Sequence, residues 1–229
     1  MDRGLYIAAS GMLAEQIRQE QIANDLANAS TAGYKADRTA QSTFGDLLLA
    51  NSGSGAVVGR QSTAVQVAAI ETDFTPAAAR DTGEPLDFAV TGEGFFAVQT
   101  PQGVRYTRNG QFALDSQGRL VTARGDLVLG RGGAPIASRD GKVDARLIGV
   151  VNLTNPRKEG DSLVSGTPAG AATGQVRAGA LEASGADAAR AMVDMIASMR
   201  AFEAGQKVIQ AIDDTLGRAA TQVGAVSGS

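Results

Sequence analysis

The chain has no cysteine, no histidine and no tryptophan among its 229 residues, and only 4% of it is aromatic. Without thiols there are no disulfides and no thiolate chemistry, a state compatible with a reducing or an oxidising compartment. Without imidazole the commonest general base and metal ligand is missing, which excludes His-dependent triads and most zinc sites. No run of Lys or Arg forms a stripe fit to neutralise phosphates, and the net charge is −3 with a pI of about 5.1, so nucleic acid is not an expected partner. No apolar run approaches the roughly 20 residues that span a bilayer, so no membrane insertion is expected. The start, Met1-Asp2-Arg3-Gly4-Leu5, lacks a charged region followed by an uninterrupted apolar core, and a cleaved secretory signal is not visible.

What is present is small and apolar. Hydrophobic residues make up 43% and glycines number 29, so much of the packing must use small side chains at close backbone approach. Residues 3–28 and 186–220 read as long amphipathic helices. In the first, Leu5, Met12 and Leu26 fall at multiples of seven, with Ala8, Ala9, Leu13, Ile17, Ile22 and Ala23 beside them; it is expected to end near Ser30-Thr31-Ala32-Gly33, with Gly33 left-handed. In the last, Met192, Met195, Met199, Phe202, Gln206, Ile209, Asp213 and Leu216 alternate three- and four-residue steps, flanked by Val193, Ile196, Val208 and Ile212. Ser184-Gly185-Ala186-Asp187 fits a capping box for its start.

Such helices are marginal without partners. Periodicity leaves open whether the two pair within the chain or with neighbouring copies. Packing between copies is favoured by the length of both helices, by the separate apolar pattern of the β region and by interior Gly11 and Gly205, each of which costs about 1 kcal/mol relative to Ala and is easier to explain where another backbone comes close.

Between the helices the pattern turns to strands. Residues 43–50 fit a short helix or an apolar strand equally, Asn51-Ser52-Gly53-Ser54-Gly55 reads as a flexible loop, and Val57 to Phe74 reads as extended. Leu86, Phe88 and Val90 alternate with Asp87, Ala89 and Thr91 as on a half-buried strand. Turn signals recur at Gly92-Glu93-Gly94, Pro101-Gln102-Gly103, Asn109-Gly110, Asp115-Ser116-Gln117-Gly118 and Asp140-Gly141, which predicts a compact antiparallel region over 85–153. Residues 154–180, rich in Gly, Ala, Thr and Pro, read as a loose return connection.

No chemistry stands out. Gly92-Glu93-Gly94-Phe95-Phe96-Ala97 loosely matches a dinucleotide fingerprint but precedes an apolar strand instead of opening a helix. No phosphate loop is present, Asp115, Asp140 and Asp144 do not fall at calcium-loop spacing, and no spacing nominates a catalytic carboxylate pair. The reading is of a non-enzyme with no catalytic residue, cofactor, metal or small-molecule substrate.

Three segments carry a resemblance. Ser10-Gly11-Met12 followed by the run from Ile22 to Lys35, which includes Asn24, Leu26, Asn28, Gly33 and Tyr34, resembles the N-terminal signature of bacterial flagellar rod and hook proteins. Asp87 to Phe96, with Gly92, Gly94, Phe95 and Phe96, then Tyr106-Thr107-Arg108-Asn109-Gly110, and finally Met192 to Ile196 with Arg200-Ala201-Phe202-Glu203, agree in the expected order. Asp25 stands where the family usually carries a second Asn, and Gly185 where Asn is typical.

The resemblance implies an axial subunit of the flagellar basal body, of proximal or distal rod type. Its partners would be itself, other rod and hook axial proteins, and the flagellar type III export apparatus, which would deliver it to the cell envelope without a cleaved signal. The chain is short for the family and lacks the large outer domain of a hook protein, yet a hook or hook-junction subunit remains the alternative. A non-flagellar module binding through its β domain would leave both helices unexplained. The expected fold is α+β: long N- and C-terminal α-helices that pack together in coiled-coil fashion, plus a central, mainly antiparallel β domain. The expected divisions are 1–35, 36–180 and 181–229. Leu5, Met12, Ile17, Ile22 and Leu26 of the first helix and Met192, Met195, Met199, Phe202, Ile209 and Leu216 of the last are the candidate packing residues.

Overall fold

The computed structural model describes residues 2–44, 47–50, 57–61, 64–138, 141–160 and 162–226. The loop expected at Asn51–Gly55 lies outside the described residues. Two compact units form: one of Met1–Leu26, Asp37–Glu71 and Ala188–Ser229, the other of Ala27–Ala36 and Thr72–Asp187.

The first unit holds both long helices. Helix α1 covers Asp2–Ala27 and α2 covers Ala188–Val226. Both are rich in Ala and in unbranched side chains and contain no proline, which favours helix along their whole length. Helix α1 stops at Ala27, before the expected boundary; residues 28–30 form turns, and Thr31 N–H donates to the Asn28 carbonyl at 3.0 Å. The capping box expected at Ser184 is absent. Ser184 Oγ accepts from the Ala186 amide at 3.1 Å, closing a local turn, and α2 opens only at Ala188, directly after Asp187, a residue type suited to that position.

Strands β1 (Asp37–Phe44) and β4 (Ala64–Thr72) pair in this unit, as do β2 (Leu47–Ala50) and β3 (Val57–Gln61), antiparallel with Leu48 opposite Arg60. The ambiguous 43–50 segment is therefore extended.

The second unit is built on strands β5 (Ala79–Asp81), β6 (Phe88–Thr91), β7 (Phe95–Thr100), β8 (Gly103–Thr107), β9 (Phe112–Leu114), β10 (Leu120–Thr122), β11 (Leu127–Val128), β12 (Val150–Gly160), β13 (Leu163–Ala171), β14 (Gln175–Ala178) and β15 (Ala180–Glu182). Strand β7 organises it. One edge pairs with β8; the other pairs with β12 at Phe95 and Phe96, then with β11 at Val98 and Gln99. Because β8 also pairs with β13, and β13 with β12, the four strands β7, β8, β13 and β12 close on themselves, leaving few bare edges. Phe88, Val90, Phe96, Val98, Phe112, Leu120, Val128 and Ile148 fill the main core, where the Phe96 and Phe112 rings meet edge to face at 5.3 Å.

Two expectations change here. Residues 154–180 are not a loose connection: they form most of the β12–β13 hairpin and all of β14. Their side chains are largely exposed and the hairpin register shifts at three places, so no apolar alternation marks them. Strand β6 is not half-buried: Phe88, Ala89 and Val90 are all covered, with β14 paired along β6 and β15 beside it, which a small residue such as Ala89 permits.

Candidate functional site

Two features stand apart from ordinary core. The first is the pair of helix faces in the first unit. Gly4 lies against Ile212, Met12 against Gly205, and Ser198 Oγ donates to Glu15 Oε2 at 2.6 Å. Numbers rise on α1 as they fall on α2, so the helices run antiparallel.

The covered line of α2 is Ala191, Met195, Ser198, Phe202, Gly205, Ile209, Ile212 and Leu216, in alternating steps of four and three. Of the expected packing residues, Met195, Phe202, Ile209 and Leu216 sit on this line, whereas Met192 and Met199 are each 51% exposed. Hydrophobicity pointed to Met192 and Met199 as well as Met195. The close approach instead selects small side chains, with Ser198 fully buried and Ala191 nearly so. On α1, Met12, Ile17, Ile22 and Leu26 are half-buried while Leu5 is exposed. Gly205 meets the Met12 side chain of α1 in the same chain and no foreign backbone, and Gly11 has open space on its side.

Outward, Leu5, Tyr6 and Leu13 on α1 and Met192, Val193, Ile196, Met199 and Val208 on α2 leave apolar side chains exposed. A single exposed leucine is unremarkable, but this many on two helices is the composition of a contact face. Among the described residues no helix is long and apolar enough to cross a membrane, and no group of three or more acidic side chains is placed to hold a metal ion.

The second feature is a buried ionic cluster in the second unit. Glu182, only 1% exposed, receives Lys35 Nζ on Oε1 at 2.7 Å and Arg108 Nη1 on Oε2 at 2.9 Å; those cations are 4% and 2% exposed. The Ala77 amide adds a third donor at 3.0 Å. Lys35 Nζ also donates to the Thr75 carbonyl, and Arg108 to the carbonyls of Val90 and Gly92, with its guanidinium 5.1 Å over the Phe95 ring. Burial pushes the Lys35 ammonium below its ordinary pKa, while the hydrogen bond and charge of Glu182 oppose that shift.

Backbone geometry sets this cluster. Gly33 has φ +65° and lies so close to the Arg108 carbonyl that a Cβ would overlap it; its N–H donates to the Glu182 carbonyl at 2.9 Å. Gly185 N–H donates to the Tyr34 carbonyl at 2.9 Å, Ser184 Oγ to the Asn28 carbonyl at 2.8 Å, and Lys158 Nζ to the Lys35 carbonyl at 2.9 Å while lying 4.0 Å from the Tyr34 ring centroid. Thus Asn28, Gly33 and Tyr34 of the N-terminal motif are docking residues. Asn24 is exposed and Leu26 half-buried on α1. In the middle motif Gly94, Phe95 and Phe96 are buried and Gly92 is exposed, and a side chain at Gly94 (φ +118°) would collide with Ala172 and Val150. Sequence reasoning gave Lys35, Arg108 and Glu182 no site role. The available signal was a charged residue beside a glycine in each of two motifs, Gly33-Tyr34-Lys35 and Arg108-Asn109-Gly110.

Family models match three stretches: "Flagella basal body rod protein" over residues 5–35, "Flagellar hook protein FlgE/F/G D1 domain" over 89–154, and "Flagellar basal body rod FlgEFG protein C-terminal" over 177–222. The chain is 32% identical to the flagellar basal-body rod protein FlgG of Bacillus subtilis, over 94% of this chain and 97% of that one. It is 33% identical to the rod protein FlgF of Escherichia coli, over 96% and 97%, and 31% identical to the hook-basal body complex protein FlhO of Bacillus subtilis, over 99% and 100%. With three motifs in order and similarity along almost its full length, the chain belongs to the flagellar basal-body rod protein family.

Proposed function

We propose that this protein is a structural subunit of the bacterial flagellar basal-body rod, assembling through its terminal helices into the axial shaft that carries motor torque to the hook. The observation that carries the reading is the likeness to rod proteins over more than nine-tenths of both partners. The exposed apolar faces of α1 and α2 support it, because an isolated chain gains nothing from leaving them in water. In this reading segments 1–35 and 181–229 do the assembling: α1 and α2 pack as a coiled-coil-like pair along the Ala191–Leu216 line, and their outward faces meet neighbouring copies and other axial proteins. The open side of Gly11 leaves room for a neighbour's backbone. The flagellar type III export apparatus delivers the subunit to the cell envelope. Its role is mechanical, without catalytic turnover, consistent with a chain that has neither histidine nor cysteine.

The test is Met192→Asp with Met199→Asp. Both side chains already face solvent in the single chain, so the variant folds, yet every subunit contact that covers them then buries unpaired carboxylates at several kcal/mol each. Basal bodies from that strain should lack rods beyond the point where this subunit enters, and the cells should not swim. Normal swimming, with the variant present in isolated basal bodies, would show that this face contacts nothing.

A further inference from the structure

Beside the buried cluster in the second unit lies a cavity of about 10 Å³, lined by Gly33 and Lys35 of the N-terminal motif, by Arg108 and Lys158, and by Ser162, Leu163 and Val164 where the β12–β13 hairpin turns. Arg108 reaches elsewhere with its terminal nitrogens: Nη1 donates to Glu182 and to the Val90 carbonyl, Nη2 to the Gly92 carbonyl, and none of these acceptors lines the cavity. Its Nε–H is left over, buried and without an acceptor among the described residues. A buried donor of this kind normally has a partner. The two lysines need none from the cavity: Lys35 Nζ donates to Glu182 and to the Thr75 carbonyl, and Lys158 Nζ to the Lys35 carbonyl.

We propose that this cavity holds a single ordered water molecule, which accepts from Arg108 Nε–H and turns its own protons to acceptors on Gly33 and Ser162. The volume suits one water and nothing larger, since a water needs about 10–15 Å³ of such space. Phosphate, sulfate and carboxylates are too big. A monatomic anion also accepts from Nε–H, but it offers no proton to a backbone carbonyl or a serine hydroxyl, and Gly33 and Ser162 bring both to the lining. Water uses both kinds of partner. The buried donor argues against an empty void, because cavities that stay dry are apolar. So placed, the molecule joins Gly33, Arg108 and Ser162, three stretches distant in sequence, through solvent instead of a side chain.

The full-length chain is crystallised without halide, and a second crystal is soaked in sodium bromide. A density peak of one water should stand about 2.7–3.2 Å from Arg108 Nε, with no anomalous signal there after the soak. In solution, with isotope-labelled arginine, the Arg108 Nε proton should show magnetic cross-relaxation to a long-lived water. Ser162→Ala, which removes one acceptor and keeps the shape of the cavity, should lose most of that signal and of the density. Signal of wild-type strength in Ser162→Ala overturns the proposal, as does a bromide peak in the cavity, which would make the occupant an anion. So does a wild-type cavity without density, a result that does not depend on the variant folding.

Discussion

Among the described residues Glu182 is the one carboxylate bonded to both Lys35 and Arg108, and all three side chains are buried. Glu182→Gln keeps the shape and one acceptor but removes the charge, leaving two buried cations without their bonded counter-charge. Breaking a buried pair in this way costs about 3–5 kcal/mol, to be read from the urea midpoint of the second unit. A loss below about 1 kcal/mol would mean that water reaches the cluster.

Lys35 also sets a pH dependence. Its folded pKa lies below 10.5, chiefly because of burial, so between the two values the unfolded chain binds the extra proton. The stability contributed by this group is therefore fully present above 10.5 and is lost as pH falls through the folded value. Comparing urea midpoints of wild type and Lys35→Met across the alkaline range should show a rise toward pH 10.5 in the first that is missing from the second. Parallel curves would remove Lys35 from the account.

At the scale of elements, the two helices were legible in the sequence because their period is long and uninterrupted. The line along which they meet was not. Methionines at 192 and 199 outrank Ala191 and Ser198 on any hydrophobic scale, but two helices approaching closely select small side chains, a property of the pair that one helix's pattern does not carry. Gly205 shows the same rule. A Cβ there would fall 2.7 Å from Met12 Cγ. Gly205→Ala should therefore weaken the helix pair, in spite of a propensity gain of about 1 kcal/mol. Adding Met12→Ala should restore room and let the gain appear. Far-UV circular dichroism on heating checks both; stabilisation by Gly205→Ala alone would place Met12 elsewhere.

The strands divide in the same way. Turns with glycine, such as Gly103 at φ +111° and Gly118 at φ +73°, announced themselves, while the β12–β13 hairpin did not, since its exposed, bulged strands bury too little to leave an apolar rhythm. The ionic cluster was illegible for a different reason: Lys35, Arg108 and Glu182 come from three distant stretches of the sequence, and only the folded chain brings them together.

For the whole molecule, the second unit is interrupted by residues 37–71, which group with the helices. The interruption begins and ends at one place, because the Asp73 N–H donates to the Ala36 carbonyl at 2.9 Å. Replacing residues 37–71 by two glycines should leave the unfolding free energy of the second unit within about 0.5 kcal/mol of wild type if the segment is no part of that unit's framework. A loss above about 2 kcal/mol would show that the segment is part of its framework.

The span from Lys35 to Glu182 has a consequence in time. The two residues are 147 positions apart, and closing so long a loop must precede any return from the contact. A chain that emerges N-terminus first presents Asn28–Lys35 early, then waits for Glu182, Ser184 and Gly185, which close over that segment. Until they arrive, Lys35 is an ordinary solvated lysine and the second unit has no clasp. The order of emergence thus sets when the clasp can close: not before Gly185, with the last helix next in line.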